Sequence, residues 1–311
     1  MGNQLRNAPL PAMALWAKSA LLAFSASSQS HEKIVRSFVH TGRRASPPIG
    51  EMDAMEHSRA VNLWVALGAF TFPLLFFVSA PYGKLVRDGW GGQIDGRLGW
   101  FLQEIPSPVT LTLAYLYGAG VFTHDGAPSA PHPPLVLACL AAWWIHYLNR
   151  AVYYPLVRRM SNTTVPVVLM AVCFNLVNGT LVGTELAHGS AHLANPDLAT
   201  VALGAAMFAA GAWVNVASDA ILRGLRKSPK DRKHYVPRGG LFEMVACPHY
   251  LGECVEWTGF AVATRTRAGW AFAFWTFANL MPRAVAYREW YRGKFKSEYP
   301  ASVRAMIPYV W

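Results

Sequence analysis

Residues 197–222 read DLATVALGAAMFAAGAWVNVASDAIL, and their only charged side chains are Asp197 and Asp219. A helix needs roughly 20 mostly apolar residues to cross the hydrocarbon core of a bilayer. This segment is long enough, and an apolar run of this length is typical of a membrane-spanning helix. The alternative is a buried helix of a long soluble core.

Six further apolar segments lie on either side of this one, so a membrane protein is the better interpretation. Hydrophobic residues make up 53% of the 311-residue chain and charged residues only 14%, whereas a soluble domain usually carries about 25% charged residues. The sequence therefore predicts an all-α integral membrane protein, a bundle of about seven transmembrane helices. The other six segments are 61–80, 106–123, 134–155, 164–183, 249–264 and 268–287.

Residues 1–60 differ in composition from the rest of the chain. They are rich in Ser, Ala, Pro and Arg, and Glu32 is the only acidic residue before Glu51. Such a composition is typical of a targeting or disordered extension. The predicted organisation is an extension at 1–60 followed by a membrane domain at 61–311.

The basic residues alternate between the predicted loops and so indicate an orientation. The net charge is +11, yet segments 123–133 and 184–196 contain no Lys or Arg, while segment 223–238 contains seven. Basic loops stay on the cytosolic side, so the loop at 223–238 and the C-terminus are predicted to be cytosolic. The basic residues form no stripe on a soluble domain, and we therefore expect no nucleic-acid partner.

Polar side chains recur at helical spacing near the predicted cytosolic ends of four helices. Ionisable groups in a membrane helix are costly and usually face the bundle interior, where they mark a functional site. Spacings of three, four and seven residues put each set on one helix face. The sets are Tyr147, Arg150 and Tyr154; Asn215, Asp219, Arg223 and Arg226; His249, Glu253 and Glu256; and Arg283, Tyr287 and Tyr291.

The composition of these sets suits a dinucleotide phosphate. Guanidinium groups bind phosphates bidentately, and carboxylates, amides and phenols can hold ribose hydroxyls and a carboxamide. The alternative is a set of internal ion pairs, such as Asp219–Arg223, with arginines snorkelling to the interface. No G-x-G-x-x-G motif follows a strand pattern, which argues against a Rossmann domain. Cys247 and Cys254 lack C-x-x-C spacing, so we expect no metal site and four free thiols.

The stretch WFLQEIPS at residues 100–107 places a carboxyl beside an apolar run. Desolvation favours the neutral form of Glu104, and a neutral carboxyl can donate a hydrogen bond to a carbonyl oxygen. The alternative is a helix start at Pro106, with Gln103 and Glu104 in solvent.

Five stretches together resemble the steroid 5α-reductase family, including its plant brassinosteroid 5α-reductase members. The resemblance covers about residues 60–311 and leaves the extension unexplained. The stretches are WFLQEIPS (100–107), HYLNRAVYY (146–154), NVASDAILRGLRK (215–227), YVPRGGLFEMVACPHYLGECVEW (235–257) and EYPASVRAMIPYVW (298–311).

The resemblance implies seven transmembrane helices and NADPH bound in a cavity that opens to the cytosol. The C-terminal half, about 146–311, would bind the cofactor. Hydride would be transferred to C5 of a 3-oxo-Δ4 steroid, followed by protonation at C4. Gln103 and Glu104 would bind the 3-carbonyl from one side and Tyr147 from the other.

The resemblance also indicates cofactor-binding positions. His249 lies in the fourth stretch, where animal members carry Asn, and Tyr287 stands where animal members carry His. Arg223 joins them through its helical spacing. Ser161 falls where a basic residue is expected. The full cofactor set is Arg150, Tyr154, Asn215, Asp219, Arg223, Arg226, Tyr235, His249, Glu253, Arg283, Tyr287 and Tyr291.

The predicted partners are a lipid steroid and the bilayer, and the predicted location is the endoplasmic reticulum. The sequence does not indicate an oligomeric state. Three alternatives stay open: a reductase of another enone or enoyl lipid, a membrane methyltransferase using S-adenosylmethionine, and a non-enzymatic lipid-binding protein. The Gln103-Glu104 pair favours a steroid ketone. The arginines favour a phosphate-bearing cofactor over a sulfonium.

Overall fold

α-Helices form nearly all of the regular structure in the part of the chain that the structure describes. A computed structural model describes residues 52–78, 85, 91–121, 132–158, 160–189, 191–226, 228, 231 and 233–310. The prediction of an all-α fold is confirmed. The helices are α1 (Met52–Phe77), α2 (Gly96–Glu104), α3 (Pro106–Gly118), α4 (Pro134–Tyr147), α5 (Tyr154–Val157), α6 (Val165–His188), α7 (Ala191–Ala194), α8 (Leu198–Gly224), α9 (Pro248–Thr264) and α10 (Arg267–Phe295).

Short non-α elements join these helices. A π-helical segment, Leu148–Tyr153, connects α4 to α5, and 3-10 turns occupy Gly240–Glu243 and Lys296–Glu298. The strands β1 (Gln93–Ile94) and β2 (Thr163–Thr164) pair antiparallel, with Gln93 opposite Thr164. The sequence analysis did not predict the π-helical segment, which places Arg150 inside a widened helical turn.

Four helical stretches are long and apolar enough to cross a membrane: Ala54–Phe77, Pro134–Val157, Val165–His188 and Leu198–Gly224. Each of the seven predicted segments lies on a helix, but three helices fall short of a span by length or composition. Helix α3 has 13 residues, α9 has 17, and α10 carries charged residues through its second half. The count of seven spans therefore stays a prediction.

The helix starts follow from local sequence. The Asp197 carboxylate caps α8 by accepting hydrogen bonds from the backbone amides of Ala199 and Thr200, both at 3.3 Å, as Asp at an N-cap does. Prolines near the first positions of α3, α4, α6 and α9 cost no helical hydrogen bond. Helix α1 begins at Met52, inside the predicted extension, whose residues 1–51 lie outside the described part.

Glycines bring α8 and α9 into backbone contact. A Cβ at Gly211 would lie 2.3 Å from the backbone nitrogen of Glu256, and one at Gly252 would lie 2.6 Å from that of Asn215. Gly204 of α8 and Gly259 of α9 make the same kind of contact seven residues away on each helix. Small residues allow such close packing of membrane helices, and the contact places Asn215 against the first turns of α9.

The interior of the bundle is aromatic, and its outside is apolar. Trp64, Trp143, Trp257 and Trp275 are buried in one cluster. A second cluster, centred on Met281 and Tyr291, packs α9, α10 and the C-terminal segment together. Large apolar side chains are exposed on the outer helix faces, as they are where a protein meets lipid.

Candidate active site

A cavity of about 580 Å³ opens at the end of the bundle where α8 finishes and α9 begins. Ligand pockets typically span about 300–1,000 Å³. Its wall combines α2, the π-helical segment with α5, the end of α8, residues 233–235, the start of α9 and the middle of α10. The lining residues include Trp100, Gln103, Arg150, Tyr154, Arg158, Met160, Ser161, Arg223, Arg226, Lys233, His234, Tyr235, His249, Tyr250, Arg283, Tyr287 and Tyr291.

Most of the predicted cofactor residues meet in this one cavity. Asn215, Asp219 and Glu253 do not line it, but each contacts a residue at its wall. Of the predicted carbonyl-binding residues, Gln103 lines the cavity, whereas Glu104 and Tyr147 lie behind it. The predicted residues that line it are Gln103, Arg150, Tyr154, Arg223, Arg226, Tyr235, His249, Arg283, Tyr287 and Tyr291.

The charge of the wall suits an anionic ligand. Six of the lining side chains are cationic, and the described lining contains no Asp or Glu. Arginines concentrated in a low-dielectric cleft raise the local concentration of anions and bind phosphate oxygens in pairs. The six are Arg150, Arg158, Arg223, Arg226, Lys233 and Arg283.

Arg150 is one of the two buried cations, together with Arg283. Its guanidinium carbon lies 4.7 Å from the centre of the Trp100 ring and 5.2 Å from that of Tyr154. The Trp100 indole donates a 2.9 Å hydrogen bond to the Arg150 carbonyl. An ion pair of 3.4 Å joins Arg150 Nη2 to Glu253 Oε2. These contacts hold the guanidinium at the wall and compensate its charge.

Glu253 is held in turn by the contact between α8 and α9. Asn215 Nδ2 donates to the backbone carbonyl of His249 at 3.0 Å and to Glu253 Oε2 at 3.3 Å. Asn215 is only 3% exposed, because α9 packs against the backbone of α8 at this point. The amide therefore acts from behind the wall: it holds the His249 carbonyl and the Glu253 carboxylate, and Glu253 in turn places Arg150.

Asp219 pairs with Arg158, not with Arg223. Arg158 Nη1 lies 2.8 Å from Asp219 Oδ1, and the Arg158 guanidinium lies over the Tyr154 ring at 5.0 Å. Arg223 instead lies over the Tyr153 ring at 5.9 Å. The proposed Asp219–Arg223 pair is thus wrong, because residues i and i+4 at the end of α8 point to different partners.

Arg283 and the tyrosines of α9 and α10 form the opposite wall. Arg283 Nε donates to the Tyr250 hydroxyl at 2.9 Å, and Nη2 donates to the Tyr287 hydroxyl at 3.0 Å. The Tyr291 ring stacks on Tyr299 at 5.2 Å with an interplanar angle of 7°. This wall offers a guanidinium and phenol hydroxyls, the groups that suit phosphates and ribose hydroxyls.

Residues 233–235 form a strap that lines one side of the cavity. Arg226 Nε donates to the Lys233 carbonyl at 3.1 Å, and the Tyr235 hydroxyl donates to Asp231 at 2.8 Å. Hydrogen bonds from the Lys233 amide and from Tyr235 lower the pKa of Asp231. The hydrogen bond to the Asp231 carboxylate likewise raises the pKa of Tyr235. These contacts bring Lys233 and Tyr235 to the cavity.

The predicted carbonyl-binding residues gather just inside the bundle. Gln103 Nε2 donates a hydrogen bond to Glu104 Oε1 at 3.4 Å. Asn175 Nδ2 donates one to the backbone carbonyl of Gln103 at 2.6 Å. Tyr147 is 4% exposed and lies within electrostatic reach of Glu104. A helix does start at Pro106, as the alternative proposed. Its second part, with both side chains in solvent, is wrong, since Gln103 is buried and Glu104 half-buried.

Several residues of the site were not predicted. Arg158 was interpreted only as a basic loop residue, and Tyr250 was not singled out, although both follow or flank the predicted sets. A buried hydrogen bond of 2.8 Å joins His146 Nδ1 to Glu256 Oε1. Glu256 was predicted to lie on the polar face of its helix, but the sequence did not indicate that His146 is its partner. No cluster of three or more potential metal ligands occurs among the described residues.

The fold and the site together define a class of protein: a helical membrane protein with a basic cavity next to buried polar groups. Comparison with known proteins specifies the class further. A family model described as 3-oxo-5-alpha-steroid 4-dehydrogenase matches residues 161–311.

Relatives from plants and animals extend the match over most of the chain. The chain is 41% identical over 249 residues to a steroid 5-alpha-reductase DET2 of Gossypium hirsutum, covering 78% of this chain and 92% of the relative. It is 35% identical over 256 residues to the Arabidopsis thaliana protein of that name, covering 78% and 92%. Identity to a Bos taurus 3-oxo-5-alpha-steroid 4-dehydrogenase 1 is 36% over 253 residues, covering 79% and 93%.

The chain belongs to the 3-oxo-5α-steroid 4-dehydrogenase family, the steroid 5α-reductases. It is therefore an oxidoreductase that acts on CH–CH groups, and the family implies a nicotinamide cofactor.

Proposed function

We propose that this protein reduces the Δ4 double bond of a 3-oxo-Δ4 steroid with NADPH, giving the 5α-reduced 3-oxosteroid. One observation carries the proposal: a cavity with six cationic side chains adjoins the buried Gln103 and Tyr147 and the half-buried Glu104. The cations suit a phosphate-bearing cofactor, and the buried polar group suits a ketone. We infer the steroid substrate from the names of the relatives.

The donor set of the cavity fits NADPH. Arg223, Arg226 and Lys233 at the strap, with Arg158 and Arg283, would hold the phosphates, because guanidinium and ammonium groups bind them through charge-assisted hydrogen bonds. Tyr235, Tyr287 and Tyr291 would bind ribose hydroxyls. Asn215, Asp219 and Glu253 would act from behind the wall, and Tyr154 and His249 would flank the ligand beside Arg150. When bound, NADPH supplies the hydride.

The residues behind the wall would stabilise the charge that develops on the substrate. Hydride addition at C5 of an enone moves negative charge to the 3-carbonyl oxygen. Donors aimed at that oxygen in a site without water are the largest expected catalytic contribution, about 2.7–4 kcal/mol for each donor. Glu104 in its protonated form and Tyr147 would donate to this oxygen, and Gln103 would orient Glu104.

The bundle also determines where the reaction takes place. A steroid is apolar except at its oxygens, and the aromatic cluster around Trp143 and Trp257 lies directly beyond Tyr147. The substrate would reach the carbonyl-binding residues from the membrane side, and the cofactor from the aqueous side. We propose that the protein lies in the endoplasmic reticulum membrane with its cofactor site on the cytosolic side, the side on which basic loops stay.

Isotope labelling tests this function in membranes that contain the expressed protein. The membranes are incubated with a 3-oxo-Δ4 steroid and NADPH carrying deuterium at the transferable position of the nicotinamide. Mass spectrometry should find one deuterium at C5 of a 5α product, and incubation in D₂O should instead label C4. A saturated product with the label at C4 from NADPH, or no reduced steroid at all, would contradict the proposal.

The same membranes separate the alternatives. An enoyl-thioester reductase would reduce a long-chain enoyl-CoA and leave the steroid unchanged. A methyltransferase would add a labelled methyl group from S-adenosylmethionine without NADPH. Membranes from cells that carry an empty vector provide the background.

A further inference from the structure

His146 and Glu256 form a hydrogen bond inside the bundle, and neither residue lines the cofactor cavity. His146 Nδ1 lies 2.8 Å from Glu256 Oε1, and the two residues are only 8% and 1% exposed. The bond joins the last turn of α4 to the middle of α9. The backbone of Glu256 has little freedom to move, because Gly211 of α8 packs directly against it.

A second pair joins the same two parts of the chain about one helical turn away. Arg150, in the π-helical segment that follows α4, lies 3.4 Å from Glu253 of α9. His146 and Arg150 are four residues apart in the chain. Glu253 and Glu256 are three residues apart, so each spacing puts both side chains on one helix face. The end of α4 and the segment after it are thus held against α9 at two points.

Tyr147 lies between these two points of attachment. Helix α4 ends at Tyr147, and the π-helical segment begins at Leu148. The rings of His146 and Tyr147 meet edge to face, with centroids 4.9 Å apart and an interplanar angle of 68°. Both rings also contact Trp257, the residue after Glu256. A displacement of His146 would therefore move the phenol of Tyr147 as well.

Stability alone explains the pair of His146 and Glu256 poorly. Glu256 Oε2 is buried and has no hydrogen-bond partner among the residues that the structure describes. A buried polar pair is often no more stabilising than apolar side chains of similar volume, and an unsatisfied oxygen adds a further cost. In some proteins such pairs instead select one arrangement of the elements that they join.

We propose that His146 and Glu256 are positioning residues of this reductase. Their hydrogen bond fixes the end of α4 against α9 and so directs the Tyr147 hydroxyl toward the 3-carbonyl of the steroid. This inference rests on the proposed function and names the residues through which Tyr147 acts. The position of a donor matters because a misplacement of about 1 Å can cost on the order of 10²-fold in rate.

Steady-state kinetics with a 3-oxo-Δ4 steroid provide the first test. Glu256→Ala should lower kcat about tenfold, because Tyr147 is no longer held in place, while the KM for NADPH changes less than about twofold. Glu256→Gln keeps an oxygen that accepts from His146 and should restore kcat to within about threefold of wild type. A Glu256→Ala enzyme with wild-type kcat, or a Glu256→Gln enzyme as slow as Glu256→Ala, would overturn the proposal.

An apolar replacement of the whole pair separates positioning from stability. The double variant His146→Leu, Glu256→Val keeps a similar volume and leaves no polar group of the pair buried. Its melting temperature in detergent should equal or exceed that of wild type, while kcat should still fall about tenfold. Wild-type turnover in this variant would contradict a positioning role.

The chain contains a matched control, a second histidine–glutamate pair that joins two helices. His57 Nε2 of α1 lies 3.7 Å from Glu185 Oε2 of α6. Glu185 also accepts from the backbone amide of Ala268, the second residue of α10, so this pair lies away from Tyr147. His57→Leu should leave kcat within about twofold of wild type. An equal loss in His57→Leu and in His146→Leu would show a general effect of the histidines and would count against the proposal.

A spectroscopic measurement tests the positioning without any turnover. With 3-fluorotyrosine placed at position 147, Glu256→Ala should shift the fluorine resonance, and His57→Leu should leave it in place. If the resonance does not move in Glu256→Ala, the positioning role is wrong whatever the substrate. If it moves in a protein that reduces no 3-oxo-Δ4 steroid, only the proposed function is contradicted.

Discussion

Arg150 illustrates what a charged side chain requires inside a helical membrane bundle. Removing a charge from water is costly unless an opposite charge and hydrogen bonds compensate it. Glu253 supplies the charge at 3.4 Å, and Trp100 and Tyr154 supply aromatic faces, whose quadrupoles attract cations. The arginine, only 8% exposed, is thereby kept at the wall of the cavity.

Glu104 is the residue whose replacement should affect catalysis most directly. Glu104→Ala removes a proposed donor to the carbonyl oxygen, and losing one such donor costs roughly 10²–10³-fold in kcat. The KM for NADPH should stay within twofold of wild type, since Glu104 does not line the cavity. Steady-state kinetics on purified enzyme measure both. Turnover near wild type would remove Glu104 from the mechanism.

Arg226 and Arg283 should act on cofactor binding instead. Hydrogen bonds between charged groups contribute about 1.5–3 kcal/mol, so replacing either arginine by Met should raise the KM for NADPH roughly 10–100-fold. Titration of the cofactor at saturating steroid measures the effect.

Arg265→Met is the control for these two variants. Arg265 lies at the other end of the bundle, pairs with Asp197 at 3.7 Å and is largely exposed. Its replacement should leave the KM for NADPH unchanged. Equal effects of all three substitutions would move the phosphate site away from this cavity.

At the scale of the element, the contact between α8 and α9 is the basis of the site. It forms because glycines face each other on the two helices, and it places Asn215 next to His249 and Glu253. The π-helical segment after α4 has a comparable role, because its extra residue in the turn lets Arg150 and Tyr154 both reach the cavity. π-Helical turns are frequent at functional sites.

Gly211→Ala should therefore destabilise the protein and weaken cofactor binding together. The added methyl would lie 2.3 Å from the backbone of Glu256, and overpacking of this kind typically costs about 1–3 kcal/mol. Thermal unfolding in detergent, with and without NADPH, measures the stability and the affinity.

Gly224→Ala is the matched control on the same helix. No atom lies within 4 Å of a Cβ at Gly224, so this variant should be as stable as wild type or gain up to about 1 kcal/mol from helix propensity. Similar melting temperatures for the two variants would show that the contact between the glycines contributes little.

At the scale of the whole molecule, the cavity and its strap lie at one end of the bundle. The loop that contains Asn195 connects helices at the other end. The basic loops indicate that the cavity end faces the cytosol. The two buried clusters fill the interior of the bundle, and the outer helix faces are apolar, as lipid requires.

Cysteine labelling in sealed microsomes tests this orientation. Ser228 and Asn195 are exposed, and the native Cys139, Cys247 and Cys254 are buried, so a Cys173→Ala background suits the test. An impermeant maleimide should label Ser228→Cys directly and Asn195→Cys only after permeabilisation. The reverse pattern would invert the topology and put the cofactor site in the lumen.

Membership of the membrane class and ten of the residues that line the cavity were readable from the sequence. Apolar run length, helical spacing and the sign of loop charges are local properties, and they indicated the all-α fold, the four polar helix faces and the basic character of the ligand site. Most of the predicted cofactor residues converge on one cavity because each set follows one helix face, and those faces all turn inward.

Only the tertiary structure decided which side chains are partners and which residues reach the ligand. Asp219 pairs with Arg158 and not with Arg223. Asn215 and Glu253 lie behind the wall of the cavity, and His146 forms a hydrogen bond with Glu256. The distances and rotations at which the helices cross determine these contacts. Those quantities depend on where α8 and α9 can approach each other, and a spacing pattern along a single helix carries no information about a second helix.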